Sequence, residues 1–111
     1  MANIYKNAFY DPTTTAQETV YTVPNSRTAI IKTIQITNES GSKTVEVFVT
    51  DTSASTTYEI AHASITGPTI CNVAKGPIVL ESGDILKISS SVTTGISAIV
   101  SYIEIFDEKS A

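Results

Sequence analysis

Short runs rich in Ile, Val and Thr alternate with turn signals at intervals of about 8–12 residues along this chain, the spacing of an all-β sandwich. The stretch Ile78 to Ser91 shows the device. Two apolar runs flank Glu81-Ser82-Gly83-Asp84, and the same Glu-Ser-Gly triplet recurs at Glu39-Ser40-Gly41 between two longer runs. Gly takes positive φ at low cost, and Ser, Asn and Asp side chains bond to nearby backbone, so both copies read as connections between strands. Glu81 and Asp84 are a conceivable carboxylate pair, but no His, Cys or second acidic cluster lies nearby in sequence to complete a metal or acid–base centre.

Composition agrees. Ile, Val and Thr are stiff at χ1 and suit a pleated surface better than a helix. The 111 residues fit one domain, and a chain of this mass buries roughly 65% of its extended surface, enough for one core without staples. Charged residues are only 16% and hydrophobic ones 41%, which disfavours disorder. The net charge is −4, and the seven Lys and Arg are scattered singly. Nucleic acid and anionic membrane surfaces call for clustered basic residues, so neither is an expected partner. Cys71 is the single cysteine, so no intrachain disulfide forms. Met1 to Lys6 lacks the apolar core of a signal peptide, and the expectation is folding in a cytoplasm.

Nine extended segments can be read. Ile4 to Tyr10 is a first strand or an arm, closed by Asp11-Pro12. Gln17–Val23, Arg27–Asn38, Lys43–Thr50, Tyr58–Ala63, Thr69–Val73, Ile78–Glu81, Ile85–Ser90 and Ile96–Phe106 follow. Period two puts Val45, Val47 and Val49 on one face, and Ile30, Ile34 and Ile36 on one face interrupted by Lys32. The last strand is apolar on both faces: Ala98, Val100, Tyr102 and Phe106 on one, Ile99, Ile103 and Ile105 on the other. Such a strand is central, or covered by a neighbouring subunit. The expected organisation is an arm or first strand at 1–12, a single antiparallel β-sandwich of jelly-roll type with about eight strands at 13–106, and a polar tail at 107–111.

No chemistry stands out. His62 is the only histidine, and no nucleophile elbow of the form Gly-x-Ser-x-Gly exists, so His62 reads as a structural or surface imidazole near a strand end. Cys71 has no second ligand at metal spacing; Ile70 and Val73 beside it favour a buried, inert thiol. Asp51 with Glu39 or Glu46 offers at most a loose calcium site, without an EF-hand loop. Tyr21, Tyr58 and Tyr102 read as sheet packing with hydroxyls at the rim. No catalytic, cofactor or metal residues are expected. Tyr5, Phe9 and Tyr10 cluster near the N-terminus, and aromatic residues there are candidate anchors for docking on a partner.

Several stretches carry a resemblance: Val20 to Asn38, Thr44 to Asp51, the hairpin Leu80-Glu81-Ser82-Gly83-Asp84, and Ala98 to Ile105 with its Val100-Ser101-Tyr102-Ile103-Glu104 core. Together they resemble the small β-sandwich virion structural proteins of tailed bacteriophages, of the marine and cyanobacterial phage type. The resemblance implies a non-enzymatic virion protein without catalytic residues, most naturally a capsid decoration or cement protein. Its partners would be the major capsid protein or other virion proteins, and it would act as a homo-oligomer, a trimer in the favoured case. Made in the bacterial host cytoplasm, it would reside in the virion. A tail, neck or baseplate component is the first alternative; a glycan- or receptor-binding sandwich module is the second.

Overall fold

A computed structural model describes residues 3–107. Nine strands follow one another: β1 (Asn3–Tyr10), β2 (Glu18–Thr22), β3 (Arg27–Asn38), β4 (Ser42–Asp51), β5 (Thr56–Thr66), β6 (Thr69–Asn72), β7 (Ile78–Leu80), β8 (Ile85–Ser90) and β9 (Ile96–Phe106). They form two antiparallel sheets. One has the order β1-β9-β3-β6, with β7 also paired to β3; the other has the order β2-β8-β4-β5. The all-β sandwich expected from the sequence is what forms.

The pairing is nested. β1 meets β9, β2 meets β8, β3 meets β6 and β7, and β4 meets β5. One long antiparallel ribbon is thus folded over so that successive pairs fall in opposite sheets, the jelly-roll solution to closing a sandwich. β6 pairs with residues 35–38 of β3 and β7 with residues 29–31, so the two act as halves of one broken strand. Nine segments therefore fill eight places.

The core lies between the sheets. Ile31, Ile34 and Ile36 of β3, Val45 and Val47 of β4, and Leu86 and Ile88 of β8 are almost wholly enclosed. Each such side chain stabilises the fold by about 1.5–3 kcal/mol. The alternation of Val45, Val47 and Val49 holds, with Val49 half-buried at the edge of the core. The expected shared face of Ile30, Ile34 and Ile36 does not. The β3–β9 register slips between Ile31 and Thr33, leaving Lys32 as an extra residue. That β-bulge reverses the parity, so Ile31 and not Ile30 points inward with Ile34.

Both Glu-Ser-Gly triplets are turns. Gly41 and Gly83 sit at φ +72 and +86, where other residues are strained. The amide of Glu81 donates to the Asp84 carboxylate at 2.9 Å, so these two residues close a turn and form no carboxylate pair. At the end of β3, buried Asn38 donates to the carbonyls of Gly41 and Ile65 and accepts from Lys43, tying the first turn to β5.

Candidate docking face

The outer surface of the β1-β9-β3 sheet carries the strongest feature. Register places Tyr5 opposite Ile103, Ile103 opposite Ile30, and Ile30 opposite Val79. An apolar row thereby crosses four strands. A second row runs from Phe9 to Ile99 to Gln35. Neither row holds a charged residue. Tyr5 is 78% exposed, Phe9 69% and Val79 62%, while Ile30, Ile99 and Ile103 are half-buried beneath them. β9 is central as well as two-sided: its inner face joins the core, and its outer face makes the spine of these rows. Cross-strand aromatic and β-branched pairs stabilise a sheet by roughly 0.2–1 kcal/mol each. The Tyr5 and Phe9 side chains remain mostly exposed, and exposed apolar patches mark interaction surfaces.

The structure brings Tyr5 and Phe9 together on this face and removes Tyr10 from it. Tyr10 follows Phe9 in a regular strand, so it points the other way, into the core, and is 3% exposed. Its hydroxyl is enclosed without a hydrogen-bond partner among the described residues. Burial first, then the nearby charges of Glu18 and Asp11, push the phenol up to about 12. A buried hydroxyl with no partner costs stability. Tyr10→Phe is therefore expected to leave the urea midpoint unchanged or to raise stability by up to about 1 kcal/mol; a clear loss would mean that the hydroxyl is bonded.

Of the two expected alternatives for the N-terminal segment, residues 3–10 take the first-strand form. Residues 3–10 pair with β9 along their whole length. Of the expected arm, residues 1–2 lie outside the described residues, as do residues 108–111 of the expected polar tail. Asp107 is held: its amide donates to Ser26, and its carboxylate accepts from Thr28 at 2.7 Å. At the Phe9 end of the face lies a hollow of about 500 Å3 whose lining includes Phe9, Asp11, Gln35, Thr37 and Glu39.

Behind the apolar rows, the inner face of β9 holds a buried carboxylate that the sequence reading passed over. Glu104 is 1% exposed. It accepts from the Tyr21 hydroxyl at 2.6 Å and from the Arg27 guanidinium, and Lys6 stands 3.4 Å away. Burial alone would raise its pKa; the bonds from Tyr21, Arg27 and Lys6 outweigh burial and hold it below the usual carboxylate value. Burial and the same carboxylate push the Tyr21 phenol far up. Tyr21 stacks on Tyr102 with centroids 4.1 Å apart, and Arg27 lies 4.3 Å over the Phe106 ring. The hydroxyl of Tyr21 thus ends in the core network and not at the rim.

The remaining candidates are dispersed. Cys71 is half-buried against the core on β6. Asp51 spends its carboxylate on the Ser53 amide and hydroxyl, which hold it below the ordinary value. It lies toward the far end of β4 from Glu39 and does not join Glu46. His62 sits well inside β5, not near its end, and is exposed beside Glu46 and Glu59. That grouping was not anticipated from the sequence, which set Glu46 only beside Asp51 as a loose calcium site.

Comparison of the chain with protein-family models, with curated proteins and with solved structures finds no match.

Proposed function

We propose that the chain is a non-enzymatic structural protein of a tailed-phage virion, a decoration or cement protein that docks on the major capsid protein through the outer face of the β1-β9-β3 sheet. The observation that carries this reading is the uncharged row Tyr5–Ile103–Ile30–Val79 with Phe9 beside it. Aromatic anchors on a rigid sheet lose little side-chain entropy on docking and supply the energetic centre of an interface. Many copies on a regular lattice gain avidity from modest single contacts. Homo-oligomers, with a trimer favoured, suit a shell with symmetry axes. The sequence resemblance to small phage virion sandwiches supports the same setting, as does a jelly roll, a fold shared by viral shell and lectin domains. The chain would reach the virion after synthesis in the host cytoplasm.

A second reading has its own observation. The hollow with Phe9, Asp11, Gln35 and Glu39 combines an aromatic ring with carboxylate and amide groups, the chemistry of a glycan site. Adding the purified chain to particles that lack it separates the two. Saturable co-sedimentation in fixed proportion to the shell protein is the expected result. Failure to bind particles, together with specific hits on a glycan array, would replace the decoration role with receptor binding.

A further inference from the structure

On the opposite side of the molecule, the outer face of the β4–β5 ribbon gathers three ligand-type side chains. Glu46 of β4 lies directly across from His62 of β5. Glu59 is three residues before His62, a spacing that in a regular strand sends two side chains to opposite faces. Here the register slips between Val47 and Phe48, so Val47 meets Ala61 while Phe48 meets Glu59, and Ile60 is the extra residue. The bulge turns Glu59 onto the face of Glu46 and His62. Bulges of this kind re-aim side chains beside functional sites.

From this geometry we propose that Glu46, Glu59 and His62 form a binding site for a divalent transition-metal ion, zinc in the first instance, on the outer face of the second sheet. His62 Nδ1 is 3.1 Å from one Glu59 oxygen and 3.4 Å from one Glu46 oxygen. One ligand atom from each of the three residues falls within 4.8 Å of the others. Two ligand atoms on a tetrahedral zinc ion with bonds of about 2.1 Å stand roughly 3.4 Å apart. The two imidazole–carboxylate distances are therefore already close to the edge length of a zinc site, and the two carboxylates lie within 4.8 Å of each other. One imidazole and two carboxylates suit zinc, whereas calcium takes more oxygen ligands and magnesium keeps its waters. Water completes the fourth position.

Electrostatics favour a cation there. The two carboxylates act on each other: Glu59 raises the pKa of Glu46, and Glu46 together with His62 lowers that of Glu59. The bond to Glu59 raises the His62 pKa most; desolvation opposes it next, and the charges of both carboxylates add to the rise. Two carboxylates pressed together with an imidazole are relieved by a dication, which displaces any protons held between them. From β8, Ser89 lies opposite Glu46 and Lys87 opposite Phe48, so the nearest cation on the neighbouring strand is one register step away. β5 is the edge of its sheet, and an ion bridging it to β4 would pin that edge across its bulge. The site is independent of the docking face and of the virion reading.

Zinc chloride titrated into the full chain tests it, by calorimetry and by thermal unfolding. The expected result is one ion per chain and a Tm raised by roughly 10 °C at a hundredfold excess over Kd. Glu59→Gln and His62→Ala, both at exposed positions, should fold normally and lose the shift, while Cys71→Ser should keep it. No saturable binding by the unaltered chain, a shift that survives His62→Ala, or one that vanishes with Cys71→Ser would each overturn the assignment.

Discussion

Replacing Arg27 by methionine lowers folding stability by about 3 kcal/mol at neutral pH, toward the low end of what breaking a buried ion pair costs. The carboxylate of Glu104 is then left in the core with Tyr21 and the more distant Lys6 as its remaining partners. Those partners, and the partial exposure of Arg27 itself, keep the loss from being larger. Glu104→Gln should cost less, because Arg27 and Lys6 are near enough to the rim to turn to water, while the buried position keeps its shape. The pH dependence separates the two effects. In the unaltered chain the folded pKa of Glu104 lies below its ordinary 4.5, so its contribution is present above that value and is lost as pH falls through the folded pKa. In Arg27→Met, burial dominates and the folded pKa moves above the unfolded one, so stability is lost as pH rises between the two. The gap between the proteins should therefore narrow on acidification from neutral pH to below about 4.5. Urea unfolding at a series of pH values measures it; a gap that does not change with pH would remove Glu104 as its cause.

Introducing Tyr5→Glu and Phe9→Glu together leaves the sandwich folded and removes it from particles. Both side chains are mostly exposed, and surface substitutions of this kind usually change stability by no more than about 0.5 kcal/mol each. An interface anchor is worth about 2 kcal/mol or more, so losing two weakens docking at least 100-fold. Deleting the first strand is the poorer experiment, because it would strip β9 of its partner. Wild-type particle occupancy by the folded double variant would show that the docking surface lies elsewhere.

The sequence made the strands legible because β-branched runs and turn residues mark them directly. β3, β8 and β9 match their expected bounds. What it hid was parity. Strict alternation put Ile30 beside Ile34, but one extra residue at Lys32 turns Ile30 outward, where it joins Ile103 and Val79 in the docking row. The same kind of slip at Ile60 brings Glu59 to His62. A bulge is one residue of register decided by tertiary packing, and no local composition announces it. Tyr10 failed as an anchor for the opposite reason: its strand is regular, so alternation alone separates it from Phe9. Glu104 was hidden because a lone acid in an apolar run gives no sign of the Arg27 and Tyr21 that meet it from distant strands.

The copy number of this chain relative to the major capsid protein, by quantitative mass spectrometry of purified particles, tests the proposed role most directly. A lattice decoration gives a ratio near one, or a simple fraction such as a third, and this is the expected result. A handful of copies per particle, or none, would contradict it.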